Sequence, residues 1–135
     1  MNFTLVNTGV NVIIQNWLNK LSPTNFTIGL YTTNHTPAVT DTKSTYTAIE
    51  CSLPGYAEIT LAPGSWTGSA TAGTATYNYP AQTFTFTSNV GGITIYGAFI
   101  FDANGVLICA GLLDTAFPVP AAGGSLTLTL QSTES

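Results

Sequence analysis

Positive charge is almost absent from this chain of 135 residues: Lys20 and Lys43 are its only cations, against six acids, for a net charge of −4. A nucleic-acid partner needs lysines and arginines to displace counterions from phosphates, so nucleic-acid binding is not expected. Charge of both signs is scarce as well, at 6% of residues, where soluble domains ordinarily carry roughly 25%. Thr, Ser, Asn and Gly fill the gap, so the polar surface is built from hydroxyls and amides. Short uncharged side chains lose little rotamer entropy on burial and need no ionic desolvation, which suits lasting contacts with protein or glycan.

Cysteine is scarce too. Cys51 and Cys109 are too few and too far apart for a disulfide scaffold or a zinc site. Cys109, inside Val106-Leu107-Ile108-Cys109-Ala110, reads as a small buried hydrophobe. No apolar run reaches the roughly 18 residues that span a bilayer; Val10 to Leu21 is interrupted by Asn11, Gln15, Asn16, Asn19 and Lys20. No membrane partner is expected. Met1 to Leu5 has neither a basic start nor a small-residue cleavage site, so no secretory leader is expected and the chain is expected to be made and kept in a cytosol until it is assembled or released.

The length suits a single domain spanning 1–135. One helical pattern is present, Val10, Ile13, Ile14, Trp17, Leu18 and Leu21 at three- and four-residue steps, which predicts an amphipathic helix over about residues 8–21 ended by Ser22-Pro23. From residue 25 onward the chain reads as strands. Phe26, Ile28 and Leu30 share one face; Gln82 to Thr87 alternates Phe84 and Phe86 with threonines; Ser125 to Leu130 alternates again. Ile93 to Phe101 and Val106 to Ala110 are nearly all apolar and predict central strands buried on both sides or against a neighbouring subunit, joined by a hairpin whose Asn104-Gly105 supplies positive φ angles. About seven or eight such strands predict a mainly β fold, an antiparallel two-sheet sandwich of jelly-roll-like form with one N-terminal helix. Thr33 to Ile49 and Gly64 to Asn78 read as long surface loops that lie on partners or carry the contacts that matter.

A catalytic site is hard to assemble from this inventory. His35 is the one histidine and sits in a polar turn before Pro37, where solvent exposure explains it better than a nucleophile-activating role. Asp41, Glu50, Glu58, Asp102, Asp114 and Glu134 are the acids available for a glycoside-cleaving pair. Glu58 is the only one read at mid-strand, Asp102 reads as turn chemistry, and Asp114 reads as the start of a turn. Neither a cofactor nor a transition-metal site is expected. Trp17, His35, Tyr46, Trp66, Tyr77 and Tyr79 are the candidate contact residues; the last two flank a Gly/Ser loop with Trp66 and would make a sugar-stacking platform, although core and interface packing is the preferred reading of such rings.

The layout resembles a family of small tailed-phage virion proteins encoded among head and tail genes. The matching pieces are the N-terminal helix, Leu30-Tyr31-Thr32-Thr33-Asn34-His35-Thr36-Pro37, Gly55-Tyr56-Ala57, Trp66, and Ile95-Tyr96-Gly97-Ala98-Phe99-Ile100-Phe101-Asp102, over nearly the whole length. After the turn the family often continues with an aromatic and an acid, where this chain has Ile108-Cys109-Ala110. The resemblance implies no catalytic residues. It implies a non-enzymatic virion structural protein on the particle surface, a capsid decoration or cement protein, bound to the major capsid protein or other virion proteins and homo-oligomeric, a trimer in particular. A tail, neck or baseplate component, or a carbohydrate- or receptor-binding module, is the alternative.

Overall fold

The computed structural model describes residues 1, 3–9 and 25–134. Among the described residues the named elements are β1 (Thr4–Leu5), β2 (Phe26–Tyr31), α1 (Lys43–Thr47), β3 (Ile59–Leu61), β4 (Thr67–Thr71), β5 (Thr74–Phe86), β6 (Thr94–Asp102), β7 (Leu107–Pro118) and β8 (Gly124–Glu134). They make a five-stranded sheet, β1-β7-β6-β2-β3, and a three-stranded one, β4-β5-β8, with every pairing antiparallel. This order establishes two antiparallel sheets and does not of itself make a jelly roll. Residues 7–9 are helical; the rest of the expected N-terminal helix, with Trp17, lies outside the described residues.

The period-two runs do what their alternation dictates. Phe84 and Phe86 of β5 and Leu128 and Leu130 of β8 point inward, and meet Ile28, Leu30, Ile95, Ala98, Ile100 and Ile108 from the larger sheet in one apolar core. The larger sheet is buried on its other face too. Tyr31, Phe99, Phe101, Leu107 and Ala110 form a second cluster there with Val6 and Tyr46. Two-sided burial is the reason β6 and β7 read as continuous apolar runs.

The cover on that second face comes from the segment expected to lie on partners. After β2 the chain runs through Thr33 to Ile49 and folds back over its own sheet, carrying α1, with the Thr32 N–H donating to the Ile49 carbonyl at 2.9 Å. Tyr46 is the plug: it is fully buried, stacked on Phe99 with ring centroids 5.3 Å apart and tilted against Tyr31 at 5.2 Å. Burying an aromatic of that size outweighs the polar character of the surrounding Thr and Pro residues.

Three other expectations are corrected. Gly64 to Asn78 is no loop, because Thr67–Thr71 pairs with Thr74–Asn78 as a hairpin. Its alternation is invisible because Thr67, Gly68, Ser69 and Tyr77 are all exposed and no apolar face had to be maintained. At the β6–β7 turn only Gly105 has positive φ, at 77°. Asn104 does not need it, because the Asp102 carboxylate accepts the N–H groups of Asn104 at 2.9 Å and Val106 at 2.8 Å, while the Gly105 N–H donates to the Asp102 carbonyl, in a three-residue loop closed by a glycine. Asp114 starts no turn; it sits within β7.

Candidate functional site

The outer face of the smaller sheet is a chemically uniform surface. Where Phe84, Phe86, Leu128 and Leu130 point inward, their neighbours Thr83, Thr85, Ser125, Thr127, Thr129 and Gln131 point out and are exposed. Thr83 and Thr127 face each other across the strands with hydroxyls 2.8 Å apart. No charged residue stands on that face between Thr83 and Gln131 in the paired part of β5 and β8. On its far side β8 has no strand partner among the described residues. A sheet edge of this length, without lysine, proline or a bulge on it, is unprotected against pairing with another chain.

The expected aromatic platform does not assemble as three exposed rings. Tyr79 is buried, its hydroxyl accepts the Ala62 N–H at 2.8 Å, and Trp66 packs edge-on against it at 5.1 Å and is half-buried. Tyr77 is on the same strand face as Tyr79 but is 46% exposed. Tyr77 stands within the β4–β5 hairpin, opposite Gly68 and Ser132. Tyr46, another contact candidate, is buried in its own chain.

His35 is half-buried and belongs to a polar network inside the folded-back segment. Its Nε2 lies 2.9 Å from Asp41 Oδ2, the same oxygen that accepts the Tyr46 hydroxyl at 2.8 Å and the Ala38 N–H at 2.9 Å. Burial acts to raise the Asp41 pKa, but the hydrogen bonds from Ala38, His35 and Tyr46 and the charge of His35 outweigh it, and the carboxyl is held below its ordinary value. Tyr31 extends the network, its hydroxyl donating to the Gly111 carbonyl at 3.0 Å and lying 3.3 Å from the His35 carbonyl. Burial, and then the Asp41 charge, push its pKa up to about 12. These groups satisfy one another, and among the described residues no serine, threonine or cysteine side chain is hydrogen-bonded to the imidazole.

A second polar group joins two acids. Tyr56 donates its hydroxyl to Glu50 at 2.9 Å and accepts the Leu30 N–H at 3.0 Å, completing β2 where β3 has already ended. Glu58, which precedes β3 rather than lying at mid-strand, has its pKa raised by burial and then by neighbouring Glu50, with Lys43 acting in the opposite direction. The hydroxyl between Glu50 and the β2 backbone gives the pair a structural task. Among the described residues no set of three or more His, Cys, Asp or Glu is placed to hold a metal ion. No helix of the described residues is long and apolar enough to cross a membrane.

Two groups escaped the sequence reading. Asp41 stood as one acid among six, and only the reversal of the chain at Val39-Thr40 brings it onto His35 and Tyr46. Asn89 is 2% exposed and fully hydrogen-bonded, donating through Nδ2 to the carbonyls of Ile93 at 2.9 Å and Val119 at 2.7 Å and accepting the Ile93 N–H at 2.9 Å. The turn-rich Ser88-Asn89-Val90-Gly91-Gly92 hints at a bend, but nothing in it reveals a clamp on the β7–β8 loop. No protein-family model, curated protein or solved structure matches this chain.

Proposed function

We propose that this chain is a non-enzymatic structural protein of a tailed-phage particle, a decoration or cement protein on the outside of the head, with a tail, neck or baseplate position as the nearest alternative. The observation that carries the reading is the uncharged hydroxyl face of β5 and β8 beside the open edge of β8. Such a surface forms contacts without desolvating ions, and a sheet edge offers backbone groups in register. The resemblance to small virion proteins points the same way, and the two facing sheets are read as a jelly-roll-like sandwich of the kind used in capsid domains.

Cementing works by number. Each copy contributes modest contacts, and a symmetric oligomer, a trimer on this reading, engages several copies of the major capsid protein at once, so avidity supplies the hold that no single site provides. The polar networks of this chain serve its own fold, which is what a structural role requires. A receptor- or glycan-binding module is less well supported, since only Tyr77 of its three proposed platform rings is strongly exposed.

Light scattering on the purified protein, alone and after mixing with emptied heads of the phage that encodes it, tests the reading. The expected result is a stable multiple of the 14.1 kDa chain mass that co-sediments with the heads. A monomer that ignores heads would overturn it, and glycan binding by that monomer would replace it with the receptor reading.

A further inference from the structure

The Thr33–Ile49 segment is held over the larger sheet by very little. It is rich in Thr and Pro, and Tyr46 is its one buried residue. At its roots the Thr32 N–H donates to the Ile49 carbonyl and the Cys51 N–H to the Leu30 carbonyl, both at 2.9 Å. Between those roots, among the described residues, a single backbone bond ties it to the rest of the chain, from the Asn7 N–H to the Val39 carbonyl at 3.1 Å. The strands of the two sheets are joined instead by long ladders, β5 with β8 over Ala75 to Phe86 and β6 with β7 over Thr94 to Phe101. A segment with few buried contacts and few backbone bonds opens at lower free energy than such ladders.

Tyr46 keeps this segment closed, and one carboxylate oxygen keeps Tyr46 seated. Its ring is stacked on Phe99, and its hydroxyl, shut off from solvent, donates to Asp41 Oδ2 at 2.8 Å. The same oxygen accepts the Ala38 N–H and lies 2.9 Å from His35 Nε2. Burial, and then the Asp41 carboxylate, push the Tyr46 pKa up, so the phenol stays a donor. Charge-assisted hydrogen bonds are about twice as strong as neutral ones. Protonating Asp41 therefore weakens all three bonds at once, and a buried hydroxyl that loses its acceptor favours leaving the core. Tyr31 of β2 and Tyr46 of α1 are the titratable groups that face Asp41 from neighbouring elements, with Cys109 of β7 acting on Tyr46. Lys43 of α1 lies over the Phe101 ring at 3.7 Å. Asp41 is the one carboxylate among them.

We propose that Thr33–Ile49 is an acid-released cover: proton uptake at Asp41 unseats Tyr46 and lifts the segment as a unit, baring the Tyr31, Phe99 and Phe101 rings while both sheets stay formed. The chain then presents in acid an apolar face that it hides at neutral pH. This latch is a property of the fold and stands independently of any role in a particle.

Hydrogen–deuterium exchange of the full chain tests this, read by mass spectrometry from neutral pH down to about pH 3 and corrected for the intrinsic pH dependence of exchange. The Asp41, Thr45, Ala48 and Ile49 amides are bonded within the segment, and a helix of five residues does not persist once detached. Peptides holding them are expected to lose at least about tenfold in protection relative to peptides of the β5–β8 ladder, as one linked proton allows. Asp41→Asn is expected to exchange faster in this segment already at neutral pH, with no further response to acid. Asp114→Asn, at a carboxylate whose side chain is 86% exposed, is expected to behave like the unchanged protein. Loss of protection in cover and ladders at the same pH overturns the proposal, as does a cover that stays protected throughout. Both are read on the unchanged protein, whether or not Asp41→Asn folds. An undiminished acid response in Asp41→Asn overturns the assignment to Asp41.

Discussion

Asp41 concentrates the residue-scale chemistry. One carboxylate oxygen accepts from Ala38, Tyr46 and the imidazole of His35, and its pKa lies below the ordinary value. A depressed carboxylate pKa contributes stability that is fully present above the unfolded-state value and is lost as pH falls through the lower folded-state value. Acid unfolding followed by near-UV circular dichroism is therefore expected to show loss of the Tyr46 environment below about pH 4, the ordinary carboxylate range. Asp41→Asn is expected to flatten that acid limb and to cost about 1–3 kcal/mol at neutral pH, because the buried Tyr46 hydroxyl loses a charged acceptor. An unchanged acid limb in Asp41→Asn would remove Asp41 from the latch. Glu58 has the opposite sign: its raised pKa marks an ionised form that the fold disfavours at neutral pH, so Glu58→Gln is expected to leave the melting temperature at pH 7 unchanged or raise it slightly, and to lower it only if the carboxylate makes contacts beyond Glu50. None of this was legible in the sequence, since His35, Asp41 and Tyr46 stand in a Thr- and Pro-rich stretch whose composition gives no hint of a closed network.

At the scale of elements, legibility followed burial. β5 and β8 alternate because one face of each is packed, and β6 and β7 are continuous because both faces are. The β4–β5 hairpin was illegible because its exposed residues are selected for neither pattern. Its turn is also poor: Ala72 sits at φ 51° beside Gly73 at 82°, a left-handed conformation that Asn tolerates better than Ala. Ala72→Asn is expected to stabilise the chain by about 0.5–1 kcal/mol, a rise of a few degrees in melting temperature; a fall would mean that the turn takes another form in solution. Between β6 and β7 the opposite economy of space holds. A Cβ at Gly97 would overlap the Gly111 carbonyl oxygen and the Tyr31 hydroxyl, so the missing side chain is the room in which Tyr31 crosses the strands. Gly97→Ala is expected to destabilise by about 1–3 kcal/mol or more by overpacking, read as a lower denaturant midpoint; a neutral result would show that Tyr31 can leave its place without cost.

For the whole molecule, the decisive feature is that the chain covers one sheet face with its own Thr33–Ile49 segment and, among the described residues, leaves a hydroxyl face and an open β8 edge outward. Low charge was the part of this readable from composition; which uncharged surfaces face outward was not, because it depends on where Tyr46 and Asn89 fasten the loops. On the proposed cement role the chain acts on the stability of the particle, so the most direct measurement is the temperature at which heads release their DNA. Particles lacking this chain are expected to leak several degrees below complete ones, and added purified protein is expected to restore the difference. Identical release temperatures with and without the chain, under conditions where it is bound, would contradict the cement role.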